Sequence, residues 1–222
     1  MIETTIDGNV HVIAMRDGEN RFNPDSLGAL EGILDGIEGT EGDAAVVLTG
    51  EGKFFSNGLD LDWMGGAPEG GAQEVVERTQ HLLARLLVFP RPLIAAINGH
   101  CFAAGAMAAL ACDGRVMRAD RGFFCLPEVD IGMTFTPGMS ALVGSRLPPQ
   151  TAHEAMLTGR RYGGPQALDA AIVDAVAAEE EVVGTAVARA ADLASKKPET
   201  LAGIKQRLYA EVVERLNEPL FA

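Results

Sequence analysis

The spacing of apolar residues changes repeatedly along the chain, and each change marks an element. Residues 2–7 and 10–16 alternate as two strands of a hairpin turning at Asp7-Gly8-Asn9. Asn23-Pro24-Asp25 is a helix-start signal, and Leu27, Leu30, Ile33, Leu34 and Ile37 then recur on one helix face. Residues 44–50 form a short apolar run that predicts a buried strand. The following residues 52–61 read as an apolar, glycine-containing loop, unusual for a surface connection. Residues 65–71, Gly-Gly-Ala-Pro-Glu-Gly-Gly, are the most linker-like passage and read as mobile, though too short for a domain boundary. A helix over 73–87 follows, ended by Pro90 and Pro92.

The middle of the chain carries the densest signal. Residues 93–97 predict a buried strand, broken by Asn98-Gly99, and Ala103-Ala104-Gly105-Ala106 lead into an apolar helix ending near Cys112-Asp113. Strands are expected around 114–117 and 123–125, and Leu126-Pro127-Glu128-Val129-Asp130-Ile131-Gly132 then sets a carboxylate among apolar neighbours. Thr136-Pro137-Gly138 starts a helix through Val143, Pro148-Pro149 ends that segment, and 151–157 is helical again. A helix over 166–171, a strand over 172–176 and helices over 181–195 and 199–216 complete the chain. This alternation implies an α/β fold with apolar strands covered by helices. The length of 222 residues suits one domain, with a core over about 1–176 and a helical part over about 177–222.

Composition narrows the partners. A net charge of −13 argues against nucleic acid, while leaving room for an anionic small ligand held by a few local cations. There is neither a basic leader nor the apolar core of a signal peptide, and no apolar run long enough to cross a bilayer, so no membrane is expected. Glu218-Pro219-Leu220-Phe221-Ala222 carry no obvious peroxisomal address. Cys101, Cys112 and Cys125, odd in number and in apolar contexts, read as buried thiols of a reducing compartment, which makes the cytoplasm the expected location. No residue cluster has metal-ligand spacing.

The chemistry follows from the small residues. A strand feeding a helix through tiny side chains leaves N–H groups free at the helix start, where the dipole also favours negative charge. Close helix–strand packing alone explains such a turn. A second loop of the same kind upstream, and the isolated Glu128 downstream, point beyond packing.

Lys53-Phe54-Phe55-Ser56-Asn57-Gly58-Leu59-Asp60-Leu61, Ala96-Ile97-Asn98-Gly99 with Ala103-Ala104-Gly105, Leu126-Pro127-Glu128 with Ile131-Gly132, and Leu157-Thr158-Gly159-Arg160 occur in the order of the enoyl-CoA hydratase/isomerase (crotonase) superfamily, which the chain resembles. The resemblance implies a crotonase-like spiral of strand–strand–helix units with C-terminal helices, assembled as a homotrimer or as a hexamer of two trimers. It implies an acyl-CoA thioester as substrate, with coenzyme A part of that substrate and no separate cofactor. Leu59 and Ala104 would donate backbone N–H groups to the thioester oxygen; many members carry glycine at the second place, but the contact uses the backbone. Glu128 falls where the family places a catalytic glutamate, and Ser56, Gly58 and Gly105 belong to the matching loops.

One departure is informative. Hydratases of the family typically carry a second glutamate two residues beyond the glycine matching Gly105, and here that position is Met107. Water addition is helped by two carboxylates, whereas moving a double bond from C3 to C2 needs one that carries a proton from C2 to C4. The pattern therefore resembles the single-glutamate 3-enoyl to 2-enoyl-CoA isomerases, including Arg121-Gly122-Phe123-Phe124 ahead of the glutamate motif. The alternatives are a hydratase and a catalytically silent acyl-CoA binder. Among other candidates, Arg21 matches a basic residue placed for the CoA phosphates, while Trp63 and Met64 are candidates for an acyl pocket. Asp130 is a second acid that would pair with Glu128 on an extended segment and not in a turn. His100, Asp60 and Asp113 read as structural, and Lys205 and Arg207 as helix-surface residues with a ligand role as the alternative.

Overall fold

The computed structural model describes residues 1–220; Phe221 and Ala222, the end of the segment read for a targeting address, lie outside the described residues. Strands β1 (Ile2–Asp7) and β2 (Val10–Met15) form the expected hairpin, with Ile2 opposite Met15 and Asp7 opposite Val10. Helix α1 (Pro24–Glu38) starts at a capping box: the Asn23 side chain accepts from the Ser26 N–H, and the Ser26 hydroxyl accepts from the Asn23 N–H. Its Leu27, Leu30, Leu34 and Ile37 are buried.

Three strand–strand–helix turns follow. The first is β3 (Ala45–Gly50), β4 (Phe54–Ser56), α2 (Leu61–Gly65) and α3 (Gly71–Leu87). The second is β5 (Leu93–Ile97), β6 (His100–Phe102) and α4 (Ala104–Ala111), and the third is β7 (Gly114–Arg118), β8 (Phe124–Cys125), α5 (Pro137–Arg146), α6 (Pro149–Thr158) and α7 (Gly164–Asp169). Strand β9 (Ala175–Ala177) and helices α8 (Val182–Ala191), α9 (Pro198–Leu208) and α10 (Ala210–Leu216) close the chain. Each turn gives its first strand to a six-stranded sheet, ordered β1-β2-β3-β5-β7-β9, and its second strand to a parallel sheet β4-β6-β8. The large sheet is parallel except for the β1–β2 pair.

Both faces of the large sheet are covered, which is why β3 and β5 are buried throughout instead of alternating. Leu48, Leu93 and Ile97 face the core shared with α1, α3 and α4, while Val47, Ile94 and Val116 pack under Val182, Ala186 and Ala190 of α8. Helix α4 is buried on every side, so its alanines serve both helix propensity and close approach. The two sheets meet main chain to main chain. A β-carbon on Gly50 would stand 2.2 Å from the Phe54 carbonyl oxygen, and one on Gly99 would stand 2.2 Å from that of Lys53.

Several boundaries differ from the sequence pattern. β4 falls inside the segment read as a loop, and β6 and α2 in stretches given no element, because pieces of three to five residues are too short to show a period. The proline pair does not merely end a helix: Pro149 is the first residue of α6, where its missing N–H costs nothing. The strand expected over 172–176 begins at Ala175, with Ile172 and Val173 buried ahead of it. The single terminal helix is two, divided at Tyr209 (φ −112°, ψ 19°), whose hydroxyl accepts from the Arg146 guanidinium at 2.5 Å. The linker-like glycines form a turn between α2 and α3, with the Gly71 N–H donating to the Pro68 carbonyl. All three cysteines are buried and free. Among the described residues, no helix is long and apolar enough to cross a membrane.

Candidate active site

The site lies where the first and second turns of the spiral touch, beside the β8–α5 segment of the third. In the β4–α2 loop, the Phe22 N–H donates to the Gly58 carbonyl at 2.7 Å and the Asp60 N–H to the Phe22 carbonyl at 2.9 Å. These bonds fix Leu59 between them. Below the loop, the buried Ser56 hydroxyl donates to the Asn20 carbonyl at 2.7 Å and accepts from the Gly58 N–H at 3.2 Å. In the second loop Ala103 caps α4 at φ 49° and ψ −126°, a conformation that suits glycine. Its N–H donates to the Cys125 carbonyl at 3.0 Å, which ties the loop to β8. Gly105 lets α4 rest on β4, since a β-carbon there would meet the Ser56 side chain at 2.6 Å.

The N–H groups of Leu59 and Ala104 make no hydrogen bond among the described residues. Ala104 opens α4, so its N–H is one of the donors that a helix start leaves over. Both residues line a cleft of about 350 Å³ whose wall also holds Glu128 and Met107.

Glu128 is only 7% exposed, and its Oε2 has no hydrogen-bond partner among the described residues. Burial pushes its carboxyl from the ordinary 4.5 up to about 7, opposed only by a backbone hydrogen bond. The chain turns tightly here: the Asp130 and Ile131 N–H groups both donate to the Pro127 carbonyl, and the Met133 N–H donates to the Glu128 carbonyl. That turn decides the place of Asp130, which stands outside the cleft against Gly159 and is not paired with Glu128. Met107, 1% exposed, fills the family's second-acid position with a thioether.

The structure brings Leu59, Ala104, Met107, Glu128 and Arg21 to one cleft. Arg21 is already engaged, with Glu19 at 2.6 Å, Asp62 at 2.5 Å and Asp60 at 3.6 Å. Ser56, Gly58 and Gly105 are not in the wall; they are the buried support under it. Trp63 is half-buried against the core and also outside the wall. Asp60 caps α2, accepting from the Trp63 N–H at 3.1 Å. His100 sits among Phe54, Phe102 and Phe123, and burial lowers its imidazole below the usual range. Lys205 turns inward, donating to Asp113 at 2.7 Å and to the Phe89 carbonyl at 2.9 Å. No signal in the sequence marks Val76, Phe102, Met139 or Thr136 as wall residues, because they come from three separate elements, α3, β6 and the start of α5, that only the fold assembles.

Strand–strand–helix turns wound around a cleft of this make-up define a crotonase-fold enzyme. The family model described as enoyl-CoA hydratase/isomerase matches residues 5–221, and the chain belongs to that family. It is 39% identical over 208 residues to enoyl-CoA delta isomerase 2, peroxisomal, of Arabidopsis thaliana, covering 88% of this chain and 86% of that one. It is 33% identical over 219 residues to a probable enoyl-CoA hydratase of Bacillus subtilis, covering 96% and 83%. Its structure superposes on human mitochondrial delta3-delta2-enoyl-CoA isomerase with a TM-score of 0.90 at 27% identity, over 97% of this chain and 85% of the other.

Proposed function

We propose that the chain is an acyl-CoA isomerase that moves a double bond from the 3- to the 2-position of an enoyl-CoA. The Glu128 carboxylate removes a proton from C2, and the electrons of that C–H bond spread through the 3-enoyl system onto the thioester oxygen. The Leu59 and Ala104 N–H groups and the start of α4 hold the resulting charge. Glu128, now protonated, returns the same proton at C4, and the double bond settles between C2 and C3. No group beyond the substrate's own coenzyme A takes part.

The observation that carries this reading is the pairing of one buried carboxylate, free at Oε2, with a methionine at the second-acid position. Family membership alone admits hydration, and the Bacillus relative bears a hydratase name. Efficient hydration calls for a second group to place the water, and the Met107 thioether cannot do so. The test is turnover of a 3-enoyl-CoA to its conjugated isomer beside hydration of a 2-enoyl-CoA. Faster hydration than isomerisation, or unchanged isomerisation by Glu128→Gln, overturns the reading.

A further inference from the structure

The wall of the cleft changes character from one element to the next. Arg21 ahead of α1, and Asn57 and Asp62 around the start of α2, give it charged and hydrogen-bonding groups. The segment leading from Glu128 into α5 gives it Ile131, Met133 and Met139, and past Glu128 no charged group. An acyl chain belongs against this second set, since the charges of a CoA ester all lie at its other end.

Two of these apolar residues are open to solvent, Ile131 at 50% and Met133 at 39% exposed, whereas Met107 and Met139 in the same wall are buried. Main-chain bonds fix the exposed pair beside the base. The Ile131 N–H donates to the Pro127 carbonyl at 3.2 Å, and the Met133 N–H to that of Glu128 at 2.9 Å. A scattered exposed apolar residue needs no account, but a pair in one cleft wall, tied to the turn of a buried acid, marks surface that a ligand covers. A short acyl group held between Glu128 and the buried methionines leaves that pair wet. Methionine also yields to chains of different shape, which suits a wall for a flexible tail.

Resting on the isomerase reading above, we infer that the substrate is a long-chain enoyl-CoA whose acyl tail leaves the buried part of the cleft over Ile131 and Met133. Burying a methylene completely is worth about fourfold in affinity. On an open rim the tail is covered from one side only, so about twofold per added carbon is expected where the chain crosses the pair.

The experiment compares 3-hexenoyl-, 3-decenoyl- and 3-tetradecenoyl-CoA below their micelle concentrations. From the shortest to the longest, kcat/KM should climb by about tenfold or more, chiefly through KM. Ile131→Ser and Met133→Ser, both at exposed positions, should each reduce that ratio and together bring it close to one. Ile131→Leu and Met133→Leu should keep it. A flat series in the wild type overturns the inference, as does a ratio that survives the double serine variant. A second copy of the chain seated on the pair would give that flat series together with self-association that the serines weaken, and sedimentation velocity reads this overturning outcome. Calorimetric binding of saturated acyl-CoAs of the same lengths separates the two claims. Tighter binding of the longer chain without turnover of any substrate supports the tail surface and sinks the isomerase; turnover indifferent to length does the reverse.

Discussion

Gly58 and Ala103 meet so closely that a β-carbon on Gly58 would lie 2.9 Å from that of Ala103 and 3.1 Å from the Ala104 nitrogen. With Gly58 at φ +83°, both space and backbone conformation demand glycine. Gly58→Ala should push the two loops apart, lowering stability by about 1–3 kcal/mol. Urea unfolding and kcat measure the two effects, and a variant within about 0.5 kcal/mol of wild type would show the contact to be soft.

Ala103 occupies a backbone region that a side chain resists. Ala103→Gly should therefore stabilise the protein, by about 1 kcal/mol, relief of strain exceeding glycine's added unfolded-state freedom. A lower melting temperature in this variant would place the strain elsewhere.

The Ala104 N–H can be removed with little damage to the helix. Ala104 is the first residue of α4, a position that accepts proline. In an Ala103→Gly background, which eases the restriction on the residue before proline, Ala104→Pro should keep the helical circular dichroism and lower kcat by about 10²–10³. Full activity in a folded variant would exclude this N–H as a donor to the oxyanion.

Glu128 sets two opposite pH dependences. As a base with its carboxyl near 7, it should let kcat/KM fall about tenfold per pH unit below that value. For stability, the folded state holds the proton more tightly than the unfolded chain. Stability is thus fully present below 4.5 and is lost as pH rises through about 7. Glu128→Gln should be more stable than wild type by about 3 kcal/mol at pH 8 and no more stable at pH 4. An equal gain at both pH values would contradict the burial of the charge.

Lys205→Met should cost about 2–4 kcal/mol, because it strands Asp113 and two carbonyls at the ends of β5 and β7. Since Lys205 lies outside the cleft wall, KM should stay within about twofold once the variant is folded at low temperature. A large rise in KM would restore the ligand role.

Long elements were legible from periodicity, as the buried stripe of α1 shows, and so were short continuous apolar strands such as β3 and β5. Of the second sheet only β8 was, expected around 123–125; β4 and β6 have three residues each and are held by pairing across turns of the spiral. In the site, Glu128, Leu59 and Ala104 could be placed by motif. Asp130 could not, because its direction depends on a turn whose hydrogen bonds converge on the Pro127 carbonyl.

The glycine crossings at Gly50 and Gly99 set the pitch of the spiral by contact between backbones. A lineage can then exchange most of its side chains, those facing the acyl group included, without unscrewing the thread. Substrate preference can drift in such a scaffold while the distance between its two amide donors stays a fixed dimension.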